Sequence, residues 1–357
     1  MKEPSRSSDH LYFDWSLLSR RRTELMGFAI VWIMLFHSYH GKVRFFDGMP
    51  GLDWLGKFLT YGNMGVEIFV VLSGIGLYYS FSKNPHLKDF YLRRFTRVLI
   101  PVWIIWAPFW IWQYGKKGIS LQQLLFSLTT VRLYTDGNQN IWFIALMTVC
   151  YLLFPLVYRL IYFRDTHRAL RTGILIAAVI ASIVAVRAFS PVFYRRCEIA
   201  LTRFPIFILG VYFGSVVKSG RRASRYWLAV FCLATAIGFD VLDHGVLHGM
   251  DRRLFYALPS LSVLFLAAAA MEHFPIRPAL SALRLLGEIS LECYCTHVLF
   301  FDLYKQNLFL FSFVPGSWER YLALLAMAVV LARLIRLAET FFLRDGKRSV
   351  FSKKGAD

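Results

Sequence analysis

Long apolar runs alternate with short polar connections along the whole chain. A membrane-spanning helix needs about 20 mainly apolar residues, and ten stretches of this sequence approach that length. The pattern therefore predicts an all-α fold, a polytopic membrane bundle of about ten transmembrane helices. The predicted spans are residues 25–43, 61–81, 98–114, 141–161, 172–189, 204–217, 226–241, 254–271, 285–303 and 319–342.

The composition points to the same class of protein. Hydrophobic residues make up 57% of the chain and charged residues 18%, whereas a soluble domain has about 25% charged residues. Because every connection is brief, we expect one transmembrane domain over residues 25–342, between an N-terminal segment 1–24 and a basic tail 343–357. The first segment lacks the apolar core of a cleavable signal peptide. We therefore expect an integral, multi-pass membrane protein.

The net charge of +19 reflects topology more than a partner. The basic residues lie in small clusters between apolar runs and form no continuous face, so we expect no nucleic-acid partner. If the N-terminus is cytoplasmic, the cytoplasmic connections hold 24 Lys and Arg and the opposite connections 12. That excess follows the positive-inside rule, and an even number of helices then predicts that both termini are cytoplasmic.

Two ionisable residues are predicted to lie at membrane depth, where such groups are costly and are candidates for function. His37 ends an apolar run from Leu25, about 18 Å along the first helix at 1.5 Å per residue. Glu67 begins the second helix at a similar depth, so antiparallel packing predicts contact between the two side chains. A carboxylate facing an imidazole raises its basicity, as a general base requires. The alternatives are a structural histidine and an interfacial, hydrated glutamate.

A basic cluster precedes the third predicted span on the cytoplasmic side. Arg94 and Arg97 are three residues apart and share a helical face, and Arg93 and Pro101 lie in the same motif. Guanidinium groups bind phosphates by bidentate contacts, which favours a phosphorylated ligand. The alternative is simple anchoring of the loop to anionic membrane lipid.

Metal chemistry has little support in the sequence. The five cysteines have no zinc-type spacing. His244 and His248 are four residues apart, but Gly245 and Gly249 indicate a loop there, so we predict no metal site.

Six motifs occur in a fixed order from Arg21 to Arg336, and together they resemble the acyltransferase-3 family of integral-membrane O-acyltransferases, which modify cell-surface glycans. The motifs are an apolar helix ending in Phe36-His37, Gly65-Val-Glu67 followed by Ser73-Gly74, Arg93-Arg94-x-x-Arg97 with Pro101, Trp142-Phe143, Phe204 to Gly210, and Gly287-x-x-Ser290-x-x-x-Tyr294-x-x-His297.

The resemblance implies transfer of an acetyl or other short acyl group from cytoplasmic acyl-CoA, expected to be acetyl-CoA, to a hydroxyl of a surface glycan or lipid-linked sugar. It implies no permanently bound cofactor, a location in the bacterial cytoplasmic membrane and possible protein partners in envelope assembly. The implied site residues are His37 as general base, Glu67 as its orienting partner, Arg93, Arg94 and Arg97 as contacts for coenzyme A, and Ser73, Trp142, Tyr294 and His297 as substrate-binding residues.

One departure from the family pattern concerns the first helix. Many members carry an arginine where this chain has Met26, with Arg22 and Glu24 nearby as candidates to replace it. An acyl-histidine intermediate is a competing mechanism. A polytopic transporter and a non-catalytic component of a polysaccharide assembly complex are alternative functions.

Overall fold

The computed structural model describes residues 12–40, 46, 49, 51–224, 226–305 and 317–353, so the ends of both predicted terminal segments, 1–11 and 354–357, lie outside the described residues. This part of the chain is helical, as the sequence predicts, and contains no β-strand beyond one isolated bridge between Asp14 and Arg222. Two 3-10 helices, Gly62–Met64 and Phe163–Asp165, interrupt the α-helices. The α-helices are α1 Leu17–Arg20, α2 Arg22–His40, α3 Asp53–Thr60, α4 Gly65–Lys83, α5 Leu87–Lys117, α6 Leu121–Leu128, α7 Arg132–Thr135, α8 Trp142–Tyr162, α9 Arg168–Phe189, α10 Pro191–Leu201, α11 Phe204–Lys218, α12 Trp227–Asp243, α13 Gly249–Phe255, α14 Ala257–His273, α15 Arg277–Glu288, α16 Ser290–Lys305 and α17 Ser317–Lys353.

Seven helical stretches of the described chain are long and apolar enough to cross a membrane, and each overlaps a predicted span. They are Gly62–Lys83, Leu87–Lys116, Trp142–Tyr162, Arg168–Phe189, Pro191–Lys218, Gly249–His273 and Trp318–Phe341. The other three predicted spans fall on α2, α12 and α16, which have 19, 17 and 16 residues. A polytopic bundle is therefore confirmed, while the count of ten helices and the cytoplasmic position of the termini stay predictions.

Close backbone approach holds α4 against α11. A Cβ added at Gly74 would lie 2.8 Å from the carbonyl carbon of Gly210, and one added at Gly210 would lie 2.7 Å from the carbonyl oxygen of Val71. Only glycine fits at such distances, because small residues let helix backbones meet in a membrane bundle. This contact gives Gly74 a packing role, and it fixes α4, which carries Glu67.

Helix α16 is tied to α5 and α17 by hydrogen bonds to backbone carbonyls. The indole Nε1 of Trp106 on α5 donates to the carbonyl oxygen of Cys295 at 3.1 Å. The hydroxyl of Thr296 donates to the carbonyl oxygen of Ala328 on α17 at 2.9 Å. These contacts fix the helix that carries Tyr294 and His297.

Candidate active site

A cavity of about 610 Å³ opens around the C-terminal half of α2, and we call it the His37 cavity. Its lining includes residues from α2, α8, α10, α13 and α16, so helices far apart in sequence form one chamber. The lining residues are Ile33, Phe36, His37, Asn63, Val66, Gln139, Asn140, Trp142, Ile199, Arg203, Gly249, Arg252, Arg253, Tyr256, Tyr294, Val298, Phe301 and Asp302.

The imidazole of His37 faces a second imidazole. Its Nδ1 lies 3.0 Å from Nε2 of His297, and Nδ1 of His297 lies 2.8 Å from the carbonyl oxygen of Cys293. A carbonyl oxygen only accepts hydrogen bonds, so the proton of a neutral His297 is on Nδ1 and its Nε2 is an acceptor. His37 then donates through Nδ1, which leaves its Nε2 with the lone pair that a general base needs.

Glu67 forms a buried ion pair with Arg203, which directly precedes α11, and not with His37 on α2 as the sequence indicates. Nε of Arg203 lies 2.8 Å from Oε1 of Glu67, and the two side chains are 2% and 1% exposed. Their alignment falls short of a full hydrogen bond, and no other described group completes one with either carboxylate oxygen. Arg203 also donates to the carbonyl oxygen of Ile199 at 2.7 Å and lies over the Trp142 ring, 4.7 Å from its centroid. The sequence predicts that Glu67 orients His37. In the structure, His297 makes that contact with His37.

A second cavity, of about 250 Å³, lies at the opposite end of α2, and we call it the Arg94 cavity. Its wall combines the guanidinium groups of Arg22, Arg94 and Arg97, the Ser73 hydroxyl and the apolar side chains of Phe69, Leu77, Val98, Phe143, Ile144, Met147 and Leu291.

 No Asp or Glu of the described chain lines the Arg94 cavity, so its wall is cationic and apolar.

Tyr294 belongs to the walls of both cavities. Its ring is 4% exposed and packs edge-on against Phe143, with ring centroids 5.2 Å apart. The ring centroid of His297 lies 5.8 Å from that of Tyr294. Tyr294 is therefore shared by the chamber that contains His37 and the one that contains the arginines.

The other predicted site residues divide between the two chambers. Trp142 lines the His37 cavity, and Ser73, Arg94 and Arg97 line the Arg94 cavity. Arg93 is exposed and lines neither, although it belongs to the same motif.

Near Met26, the two candidate replacements for the family arginine have different surroundings. Arg22 lines the Arg94 cavity and donates to the carbonyl oxygen of Leu72 at 3.3 Å. Glu24 is instead paired with Arg284, with 2.6 Å between Nη2 and Oε1. The geometry therefore favours Arg22 as the third cation of this cavity.

Sequence reasoning missed Arg203, Arg252 and Arg253, which bring three guanidinium groups to the His37 cavity. Arg253 pairs with Glu198 at 2.7 Å, as Arg203 pairs with Glu67. One signal was available for Arg203: a carboxylate at membrane depth requires a cation nearby, and Arg203 directly precedes an apolar run.

Comparison with known proteins gives one match. A protein-family model described as an acyltransferase domain matches residues 25–337, which is most of the chain. Neither the curated proteins nor the solved structures contain a match to this chain.

Proposed function

Because the chain belongs to the acyltransferase-3 family and is a membrane acyltransferase, we propose that it moves an acetyl or other short acyl group from cytoplasmic acyl-CoA to a hydroxyl of a surface glycan or lipid-linked sugar. The observation that carries the proposal is the pair of cavities that meet at Tyr294. One contains clustered cations and the other a histidine with a defined hydrogen-bond partner.

The Arg94 cavity suits the donor. Coenzyme A carries phosphate groups, and guanidinium groups bind phosphate through parallel hydrogen bonds. Arg22, Arg94 and Arg97 all line this cavity, and apolar side chains and Tyr294 line it as well. The phosphates bind at the arginines while the acyl thioester extends towards the His37 cavity.

The His37 cavity suits the acceptor. Nε2 of His37 removes the proton of the acceptor hydroxyl as its oxygen attacks the thioester carbonyl carbon. The carbon–sulfur bond then breaks, and the coenzyme A thiolate leaves and takes up a proton from His37. His297 accepts the hydrogen bond from Nδ1 of His37 and keeps Nε2 unprotonated between turnovers.

Replacement of His37 tests this proposal. In membranes supplied with labelled acetyl-CoA, His37→Ala should lower labelling of the acceptor about 100-fold or more, because general base catalysis contributes about 10²–10⁴-fold. Release of free coenzyme A on addition of acceptor separates acyl transfer from transport. Undiminished labelling in His37→Ala would remove this residue from the mechanism.

His244→Ala is the matched control. His244 is exposed, does not line the His37 cavity, and its Nδ1 lies 2.8 Å from the carbonyl oxygen of Asp240 in its own helix. This variant should label the acceptor as the wild type does.

A further inference from the structure

Tyr294 lines both cavities, and its hydroxyl oxygen is buried. The backbone of Phe143 lies near this oxygen, but no group in the described part of the chain meets hydrogen-bond geometry with it. The phenol is therefore a buried hydrogen-bond donor without an acceptor among the described residues.

An unpartnered buried hydroxyl lowers the stability of the fold, so stability does not explain why Tyr294 has one. A buried polar group without a partner costs about 1–3 kcal/mol, and phenylalanine would keep the aromatic contacts with Phe143 and His297. The ring thus explains the packing, whereas the hydroxyl calls for an acceptor that a bound molecule supplies.

We infer that Tyr294 is a catalytic residue whose hydroxyl donates a hydrogen bond to the carbonyl oxygen of the acyl thioester. This inference rests on the proposed function, since it places the reacting carbonyl where the donor and acceptor chambers meet. A donor fixed at that point stabilises negative charge as it develops on the oxygen.

The step balances with the residues named. The acceptor oxygen forms a bond to the carbonyl carbon as its proton moves to Nε2 of His37, and the carbonyl electron pair moves onto oxygen. Tyr294 stabilises this oxyanion and keeps its own proton. When the carbonyl re-forms, the carbon–sulfur bond breaks and the thiolate takes the proton from His37, giving coenzyme A and the ester.

The variant Tyr294→Phe tests this inference in the purified full-length protein. We expect kcat for acetyl transfer to fall about 100-fold, as for loss of one oxyanion donor, and the KM for acetyl-CoA to stay within about twofold of the wild type. The thermal unfolding midpoint should not fall, because no hydrogen bond of the protein is lost.

Tyr321→Phe is the matched control for a tyrosine hydroxyl with a structural role. Tyr321 is 1% exposed and its hydroxyl donates to the carbonyl oxygen of Met34, so its loss should lower the unfolding midpoint. Wild-type kcat in Tyr294→Phe would overturn the inference, and so would a lowered midpoint like that of Tyr321→Phe. Lack of coenzyme A release by the wild-type protein would instead contradict the proposed function.

Discussion

The His37 cavity and the Arg94 cavity each have three arginines in their walls, but among the described residues only two arginines of the His37 cavity lie within 4 Å of a carboxylate, whereas Arg97 interacts with Glu292 and Glu339 at longer range. There, Arg203 pairs with Glu67 and Arg253 with Glu198. In the Arg94 cavity no described Asp or Glu lies in the wall.

This difference indicates that the arginines of the two cavities have different roles. Charges removed from water require a partner, so paired arginines belong to the framework of the chamber. Clustered arginines whose chamber has no lining carboxylate are suited to an anionic ligand, which completes the charge balance when it binds. The comparison therefore predicts that replacing a paired arginine of the His37 cavity lowers stability, whereas replacing arginines of the Arg94 cavity lowers ligand affinity.

The largest effect is expected from breaking the pair between Glu67 and Arg203. Arg203→Leu should lower the free energy of unfolding by about 3–5 kcal/mol, because it leaves a buried carboxylate without its cation. Denaturant unfolding in detergent measures this loss. A variant within about 1 kcal/mol of the wild type would mean that the pair contributes little to the framework.

The double variant with Glu67→Leu and Arg203→Leu is the control for that experiment. Removing both charges should recover most of the lost stability, since apolar replacement of a buried pair is often close to neutral. If the folded double variant is inactive, the pair contributes to catalysis as well as to stability. If it is active, the role of the pair is structural.

The ion pair between Glu67 and Arg203 also shows which contacts could not be predicted from the sequence. The depth of Glu67 follows from its place in an apolar run, and so do the seven spans that the structure bears out. Its partner does not, because Arg203 is distant in sequence and reaches Glu67 only through the packing of α4 against α11. The contact between His37 and His297 likewise depends on which helices are neighbours.

The second-largest effect is expected on acetyl-CoA binding in the Arg94 cavity. Replacing Arg94 and Arg97 together by glutamine should weaken acetyl-CoA binding about 100-fold, since hydrogen bonds to charged groups contribute about 1.5–3 kcal/mol each. Isothermal titration with the purified protein measures the affinity, and the loss should shrink at high salt.

Arg93→Gln is the matched control, because Arg93 and Arg97 are both exposed and belong to the same motif, but only Arg97 lines the Arg94 cavity. Its acetyl-CoA affinity should stay within about twofold of the wild type, a difference well under 1 kcal/mol. An equal loss in both variants would indicate a general electrostatic effect and would contradict the distinction between arginines that line the Arg94 cavity and an arginine that does not.

The smallest effect is expected for a glutamate–arginine pair outside both chambers. Nη2 of Arg284 lies 2.6 Å from Oε1 of Glu24, closer than the atoms of the Glu67 pair, but the Arg284 side chain is 59% exposed. Water solvates an exposed guanidinium and screens its attraction, and Arg21 also lies 3.7 Å from Glu24. Arg284→Gln should therefore leave the thermal unfolding midpoint close to that of the wild type. A loss as large as that of Arg203→Leu would show that contact distance, and not burial, decides which pairs hold the bundle together.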